Sequence, residues 1–169
     1  MGETATLARF VAETAHDDVP DRIHDASRTA VRDYLGVAVY GAVHPVGERI
    51  RSYVAGAAPG EAATVLDGTT ASPPGAALAN GTLGHAVDYD DTFESVVVHP
   101  TSPVFAATLA TLEGERATGL AAGWAALAAY AAGCEAAFRG ADASYPSPYE
   151  TGRRRHRPAS AGRHRRRPP

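Results

Sequence analysis

Residues 80–103 read NGTLGHAVDYDDTFESVVVHPTSP, and the rest of the chain is arranged around them. His85, Asp88, Asp90, Asp91 and His99 make this the densest set of ionisable side chains in an alanine-rich sequence. Just upstream, Ser72-Pro73-Pro74 is a helix start with proline in the first turn. A helix from Gly75 to about Val87 then delivers the three aspartates at its C-terminal end. After His99-Pro100, residues 103–113 read as the next helix. The stretch is therefore a connection between two helices, and strand signals are weak throughout, so the fold class is all-α.

Carboxylates this close repel one another, and a desolvated one holds its proton more tightly. A carboxylate so placed can take a proton from carbon or return one. His99 lies eleven residues beyond Asp88, across a flexible segment that can fold it back. Its imidazole suits proton transfer or, when charged, binding of a substrate carboxylate. Thr101 and Ser102 add hydroxyl donors, with Pro100 and Pro103 stiffening the loop around them. Three aspartates near a helix end also have a plain role as solvated or capping groups. His85 is three residues before Asp88 on the same helical face, where a histidine is more often a structural partner than a ligand. Asp88, Asp90, Asp91 and His99 could instead hold a divalent cation. The spacing is not that of a calcium loop, and the glycine such a loop needs at its turn is missing.

Working outward, Leu7, Phe10, Val11 and Thr14 share one helical face in residues 3–15. Asp17-Asp18-Val19-Pro20 is a break that starts a second helix, from about Asp21 to Tyr40. There Ile23, Ala26, Ala30, Val31, Tyr34, Leu35 and Ala38 form a core-facing stripe. Pro45 opens a third helix, to Ala55. Ala63 to Leu66 is a short extended piece and Asp67-Gly68 a turn. The longest helix spans Gly119–Arg139, with Leu120, Trp124, Leu127, Ala131, Cys134 and Phe138 as its packing seam. Residues 117–134 carry no charge, which raises the question of a membrane span. The run is mostly alanine with three glycines and no flanking aromatic belt, so a buried helix of an all-helical domain is expected, not a membrane segment.

The chain is 44% hydrophobic and 21% charged, ordinary for a soluble globular protein. Cys134 is the single cysteine, which rules out an internal disulfide. The opening MGETATLARF lacks the pattern of a signal peptide, and a cytoplasmic location is expected. The net charge of −3 hides two unlike regions. Residues 1–150 hold 8 arginines and all 19 acidic residues, whereas 151–169 hold 8 arginines and no acid, and the chain has no lysine.

Taken in order, Ala79-Asn80-Gly81, Gly84-His85-Ala86-Val87-Asp88-Tyr89-Asp90-Asp91-Thr92 and His99-Pro100 resemble the signature of the MmgE/PrpD family, which includes 2-methylcitrate dehydratase, cis-aconitate decarboxylase and iminodisuccinate epimerase. The Asp17–Pro20 break, the segment Arg32 to Val37 and the segment Gly133 to Arg139 also fit, so the resemblance covers residues 5–149. It implies an all-helical main domain, a smaller α+β lid domain and a homodimer. It also implies catalysis without a metal or organic cofactor, with proton movement and loss of water or carbon dioxide from small di- and tricarboxylates. By position, Asp88 and His99 are the implied catalytic residues; His85, Thr101 and Ser102, read from the stretch itself, are the candidate substrate-binding groups. The connection from Thr92 to Val98 is a residue longer than in some members.

The resemblance stops near Tyr149. Beyond Gly152 the family pattern calls for a second active-site histidine, a later basic residue and the lid, and the chain instead reads Arg153-Arg154-Arg155-His156-Arg157-Pro158. A basic arm for nucleic acid is one explanation. A shifted reading frame is the better one, because arginine codons of a GC-rich gene read in another frame give the Ala-, Gly- and Thr-rich text the family has there. Residues 150–169 are accordingly expected to be a disordered Arg/Pro-rich tail. The domain over 1–149 is then an incomplete, N-terminal part of a 2-methylcitrate dehydratase-like lyase, inactive alone. A non-enzymatic helical interaction module with a basic tail, and a metal-binding helical protein, are the competing classes. Nucleic acid and membrane partners are not expected.

Overall fold

The computed structural model of the chain describes residues 2–144. The expectations for residues 150–169, and the domain limit at 149, lie outside these. Six helices account for most of the described chain: α1 Glu3–Glu13, α2 Asp21–Val43, α3 Pro45–Ala57, α4 Pro73–His85, α5 Thr101–Gly114 and α6 Gly119–Ser144. A short 3-10 turn, His16–Asp18, joins α1 to α2. The all-α expectation holds. Among the described residues the one sheet is a pair of two-residue strands, β1 Ala63–Thr64 and β2 Thr70–Ala71, antiparallel across a turn in which Gly68 takes φ +92°.

Helices α4 and α5 form the centre. α4 starts where Ser72 and two prolines predict it and runs Gly75, Ala76, Ala79, Asn80, Leu83 and Gly84 along its buried side. Small residues there let neighbouring backbones come close. A Cβ on Gly84 would stand 2.7 Å from the Ser102 hydroxyl and would overlap the Tyr34 ring. That absent side chain brings α2, α4 and α5 together beside the loop carrying the aspartates. Tyr34, Leu83, Phe105 and Tyr130 are the large members of the core, and alanines with Val54, Val65 and Cys134 fill the rest. Asn80 is wholly buried, with both side-chain polar atoms hydrogen-bonded. It accepts from Leu66 N (2.8 Å), donates to the Thr64 carbonyl (2.8 Å) and offers its own carbonyl to the Tyr34 hydroxyl (2.9 Å). One side chain thus ties the β-turn to α4, so Asn80 is structural.

Three expectations are corrected by the packing. In the first half of α2 the inward residues are His24 and Ser27, while Ile23 is 37% exposed. The cause lies in α6: Trp124 takes the space beside the 3-10 turn, its ring 4.6 Å from that of His16 and 6.0 Å from that of His24. From Tyr34 onward the stripe is as read, except that Leu35 stays at the surface. Helix α6 is not the buried helix that its composition led us to expect. It is long and apolar enough to cross a membrane by length and composition, and only 22% of its most apolar window is buried. It presents Ala128, Tyr130, Ala132 and Cys134 to the core, and Leu120 at its start is exposed. Finally, Thr101 and Ser102 are not loop residues but the first turn of α5.

Candidate active site

The site begins where α4 ends. Ala86 is still helical, but Asp88 takes φ +57°, the left-handed conformation that commonly closes a helix and that Asp and Asn tolerate better than most residues. This reverses the chain. Phe93 and Val98 then pair as an isolated antiparallel bridge, Phe93 N donating to the Val98 carbonyl at 2.8 Å. The Phe93 ring packs on Phe138 of α6, with centroids 4.2 Å apart. The closed bridge carries His99 back to the end of α4, where its ring lies 4.8 Å from that of His85.

Asp90 is the centre of the cluster. Its side chain is 1% exposed. One carboxylate oxygen accepts from the Ser102 hydroxyl at 2.6 Å. The other faces His85 Nδ1 at 2.9 Å and His99 Nδ1 at 3.4 Å. A carboxylate accepting from His85 fixes the proton on Nδ1, and the lone pair then sits on Nε2, away from Asp90. His99 also reaches outward, its Nε2 3.7 Å from Asp88. It therefore lies between a buried and an exposed carboxylate, since the Asp88 side chain is 77% exposed.

Asp91 points the other way. It accepts from Thr101 N at 3.2 Å and from the Thr101 hydroxyl at 2.7 Å, a carboxylate at the N-terminus of α5. Thr101 has one hydroxyl proton and gives it to Asp91, so the Tyr130 hydroxyl, 2.5 Å away, is the donor to Thr101. Tyr130 and Cys134 continue this buried row into α6. Burial, with the neighbouring thiol and Asp91 adding, pushes the Tyr130 phenol well above the ordinary tyrosine range, against the Thr101 hydrogen bond. Burial pushes the Cys134 thiol up to about 11. Burial, then the Asp90 charge, likewise raises the Tyr34 phenol.

A cleft of about 750 Å³ opens beside these groups, lined by His85, Asp90, His99 and Ser102 on the polar side and by Val46, Leu78 and Pro103 among its apolar residues. The description of a known family, the MmgE/PrpD N-terminal domain, matches residues 5–163. The chain belongs to the MmgE/PrpD family. No curated protein and no solved structure shows a match to it. The family match runs past Tyr149 into the arginine-rich stretch.

The MmgE/PrpD signature residues can now be placed. His85, His99 and Ser102 meet at the cleft, and Asp88 stands beside His99. Thr101, expected to offer a hydroxyl to substrate, is 1% exposed with that hydroxyl held by Asp91 and Tyr130, and it does not line the cleft. The carboxylate set expected for a cation also changes. Asp91 leaves it for Thr101, and His85 enters, so the groups that converge are His85, Asp88, Asp90 and His99. Two roles were not read from the sequence. Asp90 and Asp91 are neighbours in a run of acids, and only the left-handed turn at Asp88 sends one inward and the other to α5. Tyr130 sits in an alanine-rich helix 29 residues from Thr101, with no local motif to mark it.

Proposed function

We propose that this domain is the proton-handling part of a lyase of the 2-methylcitrate dehydratase type, acting on small di- and tricarboxylates without a cofactor. The observation that carries this is the convergence of His85, Asp90 and His99, with Ser102, at one open cleft, and of Asp88 beside His99. In the reaction, the C–H bond next to a substrate carboxylate breaks and its proton passes to Asp88. The electron pair moves through the enolate-like form into a new carbon–carbon double bond. The C–O bond to the leaving hydroxyl breaks, and a proton from His99 lets it depart as water. Asp90 is a positioning residue, holding both imidazoles. Decarboxylation or epimerisation would use the same groups with a different bond broken or with reprotonation.

The described lining of the cleft carries no arginine or lysine. Only the two imidazoles can meet the negative charge of a tricarboxylate, in a cleft open to water that weakens each such contact. The purified chain alone is therefore expected to bind such substrates weakly and to turn them over little. The reading also comprises a homodimer in the cytoplasm, with no nucleic acid or membrane partner. The exposed Val39, Tyr40 and Val43 on α2 support a second copy as the partner.

The test is a titration of the full chain with 2-methylcitrate or cis-aconitate, following the imidazole NMR signals. Saturable shifts confined to His85 and His99, and abolished in His99→Gln, are expected. Unmoved signals at millimolar ligand, or shifts shared equally by His16 and His44, would contradict the proposal.

A further inference from the structure

We infer that the same cleft is a four-ligand site for a zinc-class divalent ion, built from His85, Asp88, Asp90 and His99. One ligand atom from each lies within 4.8 Å of all the others. Two imidazole nitrogens with two carboxylate oxygens is a donor set for zinc or cobalt, whereas calcium needs six to eight oxygens. A tetrahedral ion with bonds of roughly 2.0–2.2 Å sets its ligand atoms about 3.4 Å apart. Two of the distances already stand close to this, both to the same Asp90 oxygen: 2.9 Å from His85 Nδ1, whose proton the ion displaces, and 3.4 Å from His99 Nδ1.

The surroundings fit a coordination site as well. Ser102 donates to the second oxygen of Asp90 at 2.6 Å and so orients the buried ligand, the role that neighbouring hydrogen bonds play around metal centres. The other three ligands are reachable from solvent: His85 and Asp88 are exposed and His99 partly so, and the two histidines stand at the wall of an open cleft. Asp91, which the sequence offers as a ligand, is held on α5 by two hydrogen bonds and takes no part. An ion here occupies the imidazoles that the proton chemistry needs. The metal-loaded domain is then a blocked form, and zinc acts as an inhibitor rather than a cofactor. The inference needs only the placement of the four side chains, so a binding measurement decides it whether or not the lyase reading stands.

The experiment is a visible-absorption titration of the full chain with cobalt(II), displaced afterwards with zinc. One equivalent should produce the intense d–d bands of tetrahedral cobalt, and zinc should remove them. His85→Gln and His99→Gln, both of side chains that are not fully buried, should each weaken binding at least tenfold with an unchanged far-UV circular dichroism spectrum. A variant with His156→Gln and His164→Gln should keep the bands. Octahedral cobalt spectra throughout, bands that survive His85→Gln, or bands lost with the His156 and His164 changes would overturn the site.

Discussion

At Asp90 a single carboxylate accepts from Ser102 and faces two imidazoles from opposite ends of the loop, at 2.6, 2.9 and 3.4 Å. Asp90→Asn keeps the shape but turns one acceptor into a donor aimed at other donors. A buried mismatch of this kind costs about 1–3 kcal/mol, to be read from urea denaturation. An unchanged midpoint would show that Asp90 is not the hub. Asp88 is the complementary case. It is exposed, and Asn accepts the left-handed backbone as readily. Asp88→Asn should therefore leave stability within about 0.5 kcal/mol of the parent while removing any residual proton exchange from substrate. The participants were legible in the sequence because His85, Asp88, His99 and Ser102 fall within one short stretch. Their division of labour was not, because adjacent aspartates look alike until the φ of Asp88 is known.

At the scale of elements, the site depends on α4 and α5 meeting at close range and on the Phe93–Val98 bridge folding back. Gly84→Ala puts a methyl group against the Ser102 hydroxyl and the Tyr34 ring. Overpacking of this kind typically costs about 1–3 kcal/mol, and here it would also move the serine that orients Asp90. Lower stability together with weaker tricarboxylate shifts at His85 is expected, and parent-like values for both would contradict the packing. The helices themselves were readable from proline starts and apolar spacing, and α3, α4 and α5 lie within a few residues of where they were read. The phase of α2 was misread at Ile23 because hydrophobicity ranks isoleucine above His24 and Ser27. Trp124, about a hundred residues away, decides that the polar pair faces inward.

For the whole molecule, the buried row from Asp91 through Thr101 and Tyr130 to Cys134 links the site loop, α5 and α6, and it gives the fold an alkaline limit. Cys134 has its folded-state value raised from 9.0 to about 11. Its stabilising contribution is therefore complete below pH 9 and is lost as pH rises through about 11, a fall on the order of 2 kcal/mol. The raised Tyr34 and Tyr130 phenols act in the same direction above pH 10. Denaturation midpoints between pH 8 and 11 should fall for the parent and fall less for Cys134→Ala. The exposed row on α2 makes a second prediction at this scale. Association seen by sedimentation should weaken in Val43→Glu, a residue 81% exposed whose change leaves the core untouched. The outer side of α6 was the part the sequence described least well, since an uncharged alanine-rich run looks the same whether one face or all of them are covered.

The most direct test of the site as a proton-handling centre is the exchange of the substrate C–H proton with deuterated water, followed by NMR for the purified chain. For 2-methylcitrate, slow exchange above the buffer rate is expected, lost in both Asp88→Asn and His99→Gln. Exchange that persists at the parent rate in those two variants, or that never rises above buffer, would contradict it.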